Sequence, residues 1–388
     1  MRRAARSVAL VLMLVVVTPI AVVAGLIHRR GRAVRSLWVS HPIPTVPAKA
    51  KAERSLGAIV ETWAFETGRL EHRFDRVLQD SRRRPIVGVL TPFLAFVRAC
   101  ASFDRLHFFC DRGLLPLFRT RMFNPWELTV YRLLRKEVFF WAYGADVRTR
   151  ESTLALGEPN ACSQCPSPGR FCICDDKGGR ANQQRIAAAA AAVFSMGDMK
   201  RHTPGSINDL FYWPIDFDDA RYEPAYPSPE RGGTLRVAHA PNHRHFKGTD
   251  HLIEAVETLR GRGIEIELDL IEHLTNDEAL ARYRLADVIF DQCLIGFHGY
   301  FALEAMALGK PVLCFIRDRG DLLAPDECPI ITIRPETIAE TLESLAGDRT
   351  RLEALGREGR GYAERYYSVS AFAERYQAAL ARLGATGS

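Results

Sequence analysis

The sequence lacks several features that would decide its class at once. It contains no Gly-x-Gly-x-x-Gly and no Walker-type phosphate loop, which disfavours dehydrogenases and P-loop ATPases. Nine cysteines in 388 residues are too few for a disulfide-dense scaffold, and 47% hydrophobic content excludes a disordered chain. The length suits two domains, each able to bury its own core.

Acidic residues are absent from residues 1–35, which hold seven arginines. Removing these seven from the 52 basic residues leaves 45 against 46 acidic residues, so the rest of the chain has a charge of −1. The basic excess therefore lies at one end. A body near neutrality does not suit a polyanion, so nucleic acid is not an expected partner.

Between those arginines, Val8 to Ile27 forms a run without a charged residue. As a helix it would span roughly 30 Å, the thickness of a bilayer core. We predict a single-pass N-terminal membrane anchor, with the lipid bilayer as a partner and the basic ends near anionic lipid. A cleaved signal peptide is the alternative, but the run is long for one and arginines continue beyond it.

Five cysteines stand singly in apolar segments, as reduced core thiols of a cytosolic protein do. They are Cys100, Cys110, Cys293, Cys314 and Cys328. We therefore expect the catalytic body on the cytosolic side of a cell inner membrane or cytoplasmic membrane.

From Ser36 onward, short apolar runs alternate with helical stretches, which is typical of an α/β protein with parallel sheets. The predicted strands are 36–40, 58–64, 105–110, 138–143, 193–197, 235–240, 264–271, 288–291 and 311–316. The main predicted helices are 48–57, 250–262, 276–285, 300–308 and 368–383. We predict an anchor at 1–35, a Rossmann-like domain at 36–225 that contains a cysteine-rich insertion, and a second Rossmann-like domain at 226–388. Two such domains face each other across a cleft, and ligands bind at the carboxyl ends of their strands.

Two loops of the second domain carry groups suited to a diphosphate. Arg244 and Lys247 follow a predicted strand, where Arg supplies a fork and Lys a point charge. Gly299 and Tyr300 open a helix whose free N–H groups favour an anion, and Glu304 lies one turn further on. Each residue alone has an ordinary explanation as a solvated charge, but their order and spacing favour a nucleotide site.

This part of the chain resembles the C-terminal domain of GT-B glycosyltransferases, in particular retaining glycosyltransferase family 4. The residues that carry the resemblance are the basic loop ending in Lys247-Gly248 and the stretch Glu304-Ala-Met-Ala-Leu-Gly-Lys-Pro-Val312. It extends over about residues 234–385. The resemblance implies a GT-B fold, with the donor diphosphate held by Arg244 and Lys247 and the donor ribose by Glu304.

One position departs from that family. A second glutamate usually stands eight positions before the helix glutamate, near the donor sugar, and here that position is Gly296. His298 is the nearest polar replacement and becomes a candidate catalytic residue, although a loop-capping histidine is an equal alternative. Asp291 and Gln292, at the end of the preceding strand, are further candidates.

On the acceptor side, Asp146 and Arg148 follow the strand 138–143 and a glycine turn. Asp146 could orient or deprotonate an acceptor hydroxyl, and Arg148 could stabilise the departing phosphate. The alternative is a salt bridge that holds the loop. His41, which follows the first strand, and Asp198, which follows the fifth, are placed equivalently and rank lower.

Four cysteines form a separate cluster, Cys162, Cys165, Cys172 and Cys174, spaced C-x2-C-x6-C-x-C. Two short pairs round a turn predict a structural zinc site without an open position for water. An iron–sulfur cluster and two disulfides are the alternatives.

The sequence thus predicts a metal-independent glycosyltransferase that moves a sugar from a UDP- or GDP-linked donor, with retention, to a hydroxyl acceptor. The anchor favours a lipid-linked saccharide, a polysaccharide or a glycolipid as acceptor. The alternatives are a degenerate GT-B protein that binds nucleotide sugars without transfer, for which Gly296 speaks, and a nucleotide-sugar epimerase.

Overall fold

The structure is a computed structural model of the chain. It describes residues 2–28, 31–68, 73–79, 85–116, 122–170, 174–228 and 233–386, with side chains left out at 2–11, 85–89 and 385–386.

The first half of the chain alternates strands and helices. In order, these are α1 (Arg2–Ile27), β1 (Arg35–Ser40), α2 (Thr45–Ser55), β2 (Ile59–Glu66), β3 (Arg76–Gln79), α3 (Pro85–Ser102), β4 (Arg105–Phe109), α4 (Pro125–Leu133), β5 (Glu137–Trp141), α5 (Arg150–Leu154), α6 (Asp176–Ala189) and β6 (Ala192–Phe194).

The second half repeats the alternation. Its elements are β7 (Leu235–His239), α7 (Arg244–Lys247), α8 (Thr249–Gly261), β8 (Ile266–Leu270), α9 (Asn276–Tyr283), β9 (Val288–Gly296), α10 (Tyr300–Ala307), β10 (Val312–Ile316), β11 (Ile331–Thr332), α11 (Ile338–Ala346), α12 (Arg349–Tyr367) and α13 (Val369–Thr386).

The first sheet is parallel throughout, with the strand order β3-β2-β1-β4-β5-β6. This is the doubly wound order, in which the connections reverse direction between β1 and β4. Every position of β4 is buried, including Arg105 and His107, as is typical of a central strand of a parallel sheet. The crevice expected for a ligand therefore lies beyond the carboxyl ends of β1 and β4.

The second sheet is also parallel, with the order β11-β10-β9-β7-β8. Here the reversal falls between β7 and β9, so the loops after these two strands flank the expected ligand crevice. The core of this sheet includes Leu235, Val237, Val288, Phe290 and Leu313, all 0% exposed.

The chain divides into two compact units. Unit 1 comprises Met1–Thr149, Cys172–Leu210 and Ala373–Ser388, and unit 2 comprises Arg150–Phe171 and Phe211–Phe372. The division falls after Leu210, earlier than the predicted boundary at 225. Much of the cysteine-rich segment lies in unit 2, whereas the sequence places it in the first domain. It packs there because Ala161 joins the core of the second sheet.

Every predicted strand corresponds to an observed strand, within a few residues at its ends. The sequence analysis does not predict β3 and β11, which lie at the edges of the two sheets and have four and two residues. Strand β9 continues to Gly296, beyond its predicted end at Asp291. As a result, Asp291 lies within a buried strand.

The N-terminal helix α1 packs against α3. One side of α1 is buried, with Val17 9% and Ala21 0% exposed, so not all of its apolar side chains lie on the surface. Among the described residues, no helix is both long and apolar enough to cross a membrane. The predicted transmembrane anchor is therefore not supported.

Candidate functional site

The loops that flank the reversal point of the second sheet carry the predicted donor-side residues. α7, with Arg244 and Lys247, follows β7, and the turn after β9 leads to Gly299, the N-cap of α10. Both loops lie at the carboxyl edge of one parallel sheet. The sequence prediction of a common position for these residues agrees with this placement.

The partly buried Lys247 and the buried Asp291 form an ion pair at this edge. The Lys247 Nζ lies 2.6 Å from Asp291 Oδ1, and the two side chains are 12% and 0% exposed. Asp291 Oδ2 accepts a hydrogen bond of 2.6 Å from the backbone N–H of Gly299. Burial raises the pKa of Asp291, but the attraction and hydrogen bond of Lys247 outweigh it and hold the pKa below its usual value. Lys247 is thus held in a fixed position beside the start of α10.

Because Gly299 has no side chain, it leaves room for the contact between Lys247 and Asp291. A Cβ added at Gly299 would lie 3.1 Å from Lys247 Nζ and 3.3 Å from Asp291 Oδ1. A larger residue at 299 would therefore displace the ion pair from the N-terminus of α10. The next residue, Tyr300, donates a hydrogen bond from its hydroxyl to the backbone oxygen of Pro214 at 3.2 Å.

Glu304 lies within α10 and is buried, at 4% exposure. Its Oε1 accepts hydrogen bonds from the Asn276 amide at 3.0 Å and the Tyr222 hydroxyl at 3.2 Å. Its predicted contact with a ribose stays a prediction. The new finding is that Tyr222 and Asn276, which the sequence analysis does not single out, hold this carboxylate.

Arg244 is placed differently from Lys247. Its guanidinium is about half exposed and pairs with Glu272 through two hydrogen bonds, Nε to Oε1 at 3.0 Å and Nη2 to Oε2 at 2.5 Å. An exposed pair of this kind contributes little to stability, so a phosphate can replace Glu272 at small cost.

Gly296 is the position that departs from the resembled family. The space beside it is filled by Arg317, which directly follows the neighbouring strand β10. The φ of Gly296 is +97°, and a Cβ added there would lie 3.0 Å from the Cβ and 3.2 Å from the Nε of Arg317. Arg317 Nη1 donates to the backbone oxygen of Leu156 at 3.0 Å. A cation therefore lies next to the position where the family usually carries a carboxylate.

His298 is 1% exposed and lies among aromatic rings. It stacks on Phe297, with ring centroids 4.3 Å apart, and meets Trp213 edge-on at 6.0 Å. Its proposed catalytic part stays a prediction.

In unit 1, the carboxylate of Asp146 binds the backbone of two loops. It accepts hydrogen bonds from the backbone N–H groups of Cys110, at 3.2 Å, and of Tyr143 and Gly144, at 2.9 Å each. Burial and the neighbouring Asp111 carboxylate outweigh these hydrogen bonds and raise the pKa of Asp146 to about 7. Asp146 thus joins the ends of β4 and β5, and its catalytic role stays a prediction.

Arg148, the other predicted acceptor-side residue, pairs with Asp198. Its Nη2 lies 2.6 Å from Asp198 Oδ1 and its Nε 3.0 Å from Oδ2. The structure brings together two residues that the sequence analysis places on separate loops. It does not bring Arg148 to the Asp146 carboxylate as the alternative salt bridge would require.

A polar cluster that the sequence analysis largely misses lies beyond β1 and β4. His41 Nδ1 contacts Glu66 Oε1 at 2.6 Å, and its Nε2 lies 3.5 Å from Asp111 Oδ2. Burial lowers the pKa of His41, but the hydrogen bonds and charges of Asp111 and Glu66 outweigh it and raise the pKa to about 9. The rule that picked out His41, a polar residue directly after a strand, applies equally to Asp111 after β4.

The predicted zinc site is not supported. Cys172, one of the four predicted ligands, lies outside the described residues. Nowhere in the described part of the chain do three or more His, Cys, Asp or Glu side chains come together to hold a metal ion.

No protein-family model and no curated protein matches the chain. Its fold matches solved structures. For sucrose-phosphate synthase from Thermosynechococcus elongatus the TM-score is 0.60 at 12% identity, over 91% of this chain and 100% of that one. For Anabaena Alr3699/HepE in complex with UDP-glucose, the TM-score is 0.57 at 13% identity, over 90% of this chain and 100% of that one. For WaaG, a glycosyltransferase involved in lipopolysaccharide biosynthesis, the TM-score is 0.53 at 13% identity, over 88% of this chain and 98% of that one.

These likenesses show the fold, which is of the GT-B type with parallel sheets. Membership of glycosyltransferase family 4 in particular stays a prediction.

Proposed function

We propose that the chain is a glycosyltransferase that takes its sugar from a UDP- or GDP-linked donor bound to unit 2. The observation that carries the proposal is the Lys247–Asp291 pair at the N-terminus of α10, placed at the reversal point of a parallel sheet. An ammonium group has three N–H donors, so Lys247 can keep Asp291 and still bind a phosphate oxygen. The free N–H groups of α10 add to the attraction for the diphosphate.

In the proposed reaction, the acceptor hydroxyl oxygen bonds to the anomeric carbon while the bond from that carbon to the diphosphate oxygen breaks. The hydroxyl proton leaves with the diphosphate, and the anomeric configuration is retained. Lys247 and the start of α10 stabilise the charge that develops on the leaving group, so this account requires no divalent ion. Glu304, held by Asn276 and Tyr222, accepts hydrogen bonds from the donor ribose.

The experiment is titration of the full chain with a panel of UDP- and GDP-sugars, followed by measurement of released nucleoside diphosphate. Lys247→Ala and Glu304→Ala should each abolish donor binding. Arg236→Ala, which removes an exposed ion pair with Glu267 in the same unit, is the control and should bind normally. Unchanged titration in both site variants would refute the assignment.

A second candidate is a protein that binds nucleotide sugars without transferring them. Gly296, with Arg317 beside it in place of the family's carboxylate, favours this candidate. Tight donor binding without release of nucleoside diphosphate from any donor and acceptor would support it. An epimerised nucleotide sugar formed without acceptor would instead identify an epimerase.

We further propose that unit 1 touches a lipid surface on the cytosolic side of a cytoplasmic or inner membrane, so that the acceptor is a lipid-linked saccharide, a polysaccharide or a glycolipid. Large apolar side chains are exposed on three of its helices. They are Leu12, Val15, Val16, Ile20, Val23, Leu26 and Ile27 on α1, Leu90 and Leu94 on α3, and Trp126 and Leu133 on α4. No acidic residue occurs before Glu53, which suits an anionic lipid surface.

Sedimentation with vesicles that contain phosphatidylglycerol tests this contact. The double variant Ile20→Glu/Val23→Glu should remain in the supernatant. Leu285→Glu, at an exposed leucine of unit 2, should sediment like the natural protein. Equal sedimentation of all three proteins would contradict the lipid contact.

A further inference from the structure

Unit 1 contains a pocket of its own, with a volume of about 500 Å³. It lies beyond the carboxyl ends of β1 and β4, where the sheet order reverses and where doubly wound sheets bind ligands. The volume is in the range of sites for small molecules. Its lining includes the polar residues His41, Asp111 and Tyr143.

Asp111 presents an acceptor that no described residue uses. The residue is 7% exposed, and its Oδ2 accepts a hydrogen bond of 3.0 Å from the Tyr143 hydroxyl. Its Oδ1 is buried and receives no hydrogen bond from the described residues. A buried carboxylate oxygen without a donor is unfavourable, so a ligand hydroxyl that reaches the Asp111 carboxylate from the pocket would stabilise it.

The side chains around the pocket carry charges of both signs. Two carboxylates, Asp111 and Glu66, are matched by the protonated His41 and by Arg112, whose Nη1 lies 3.2 Å from Glu66 Oε2. A cationic ligand would add an unmatched positive charge, and an anionic ligand would meet the Asp111 carboxylate directly. A neutral hydroxyl supplies the missing donor without disturbing this balance.

Besides the polar Gln79 and Arg112, the wall has an apolar part. Pro92, Leu114, Leu115, Pro116 and Met122 line it. A surface of this kind suits the C–H face of a sugar ring, while the polar groups hold its hydroxyls.

We propose that this pocket binds a neutral polyhydroxy compound, a sugar or glycoside, through a hydroxyl that donates to Asp111 Oδ1. The inference rests on the proposed function, in which the bound compound is the acceptor. It narrows the acceptor to one whose bound ring carries no phosphate or carboxylate. It also assigns the acceptor contact to Asp111, beside the predicted Asp146 and Arg148.

The test uses the full chain without nucleotide. The probes are the methyl glycosides of glucose, galactose, mannose, rhamnose and N-acetylglucosamine, with glucose 6-phosphate as the anionic counterpart. Binding is measured by saturation-transfer NMR and titration. At least one neutral glycoside should bind, and more tightly than glucose 6-phosphate. Asp111→Asn, which turns a donor toward the pocket, should weaken that binding tenfold or more.

Asp209→Asn is the matched control, because Asp209 forms an exposed ion pair with Arg382 in the same unit. Its glycoside binding should equal that of the natural protein. Tyr143→Phe removes the hydroxyl that positions Asp111 and should weaken binding by a smaller factor, which decides the matter if Asp111→Asn does not fold.

Three results would overturn the proposal: no binding by any of the neutral glycosides, binding unaffected by both site variants, or tighter binding of glucose 6-phosphate. A parallel titration with UDP keeps the two hypotheses apart. Glycoside binding that depends on Asp111 in a protein that binds no nucleotide would retain the pocket and refute the transferase.

Discussion

The carboxyl edges of the two sheets handle charge in opposite ways. In unit 2, the partly buried Lys247 and the buried Asp291 are 2.6 Å apart, and Asp291 also accepts a hydrogen bond from the N–H of Gly299. In unit 1, Asp111 keeps one buried oxygen without a donor from the described residues. The first edge has a fixed cation for an anionic ligand, and the second has a fixed acceptor for a neutral one. Two parallel sheets of the same type can thus serve different ligands through the residues that follow their strands.

The largest effect is expected from removal of the Lys247 cation, which distinguishes the edge of the second sheet from that of the first. Lys247→Ala leaves the Asp291 charge buried and uncompensated, which should lower the free energy of unfolding by about 3–5 kcal/mol and abolish donor binding. Urea unfolding and titration with UDP-sugars measure the two effects. The double variant Lys247→Ala/Asp291→Asn should recover stability without binding. A stable single variant would show that Asp291 is not held by Lys247.

The second test concerns the carboxylate next to Asp111. In Asp146→Asn, the amide NH₂ must face a backbone N–H, so the free energy of unfolding should fall by about 2–3 kcal/mol. Transfer by the folded fraction should then change less than tenfold. A fall in kcat of about 10²-fold or more would instead establish the catalytic role that the sequence predicts.

The third test concerns Gly296, the position at which the second sheet's edge departs from the family that this part of the chain resembles. Gly296→Glu puts a side chain at φ +97° and against Arg317, which should cost about 1–2 kcal/mol of unfolding free energy. No gain in transfer is expected, because Arg317 already occupies the space. Increased release of nucleoside diphosphate would show instead that the missing glutamate limits the reaction.

The smallest expected effect is a pH dependence of unit 1. Since folding raises the pKa of His41 from 6.5 to about 9, its stabilising effect is full below pH 6.5 and is lost as the pH rises through 9. About a third of the side chain is exposed, so solvent screening reduces the expected loss to about 1 kcal/mol between pH 7 and pH 10. Unfolding of the natural protein and of His41→Gln at both pH values measures it. The same decline in both proteins would remove His41 as its source.

The alternation of apolar runs and helical stretches was enough to predict the strands and the α/β class. Strands of a parallel sheet are buried on both faces, so they stand out as continuous apolar segments. β3 and β11 escape this signal because they are short edge strands. The first helix illustrates the opposite failure, since its apolar run predicted a membrane anchor that the described residues do not support.

For the candidate site, local sequence singles out Lys247, Gly299 and Glu304 because they stand in a recognisable order. It does not reveal their partners. Asp291 lies 44 residues from Lys247, and Tyr222 lies 82 residues from Glu304. Contacts over such separations depend on which strands become neighbours, and no periodicity records that.

By itself, then, the sequence determined the fold class, the approximate strands and the loops that carry polar residues. Only the tertiary structure decided which of these residues meet. It paired Arg148 with Asp198, used Asp146 to hold backbone, and placed Asp111, with one buried oxygen that accepts no hydrogen bond from the described residues, in the lining of a pocket. The physical reason is that residue type and spacing set local conformation, whereas the burial and partners of a charged group depend on the packing of segments distant in the chain.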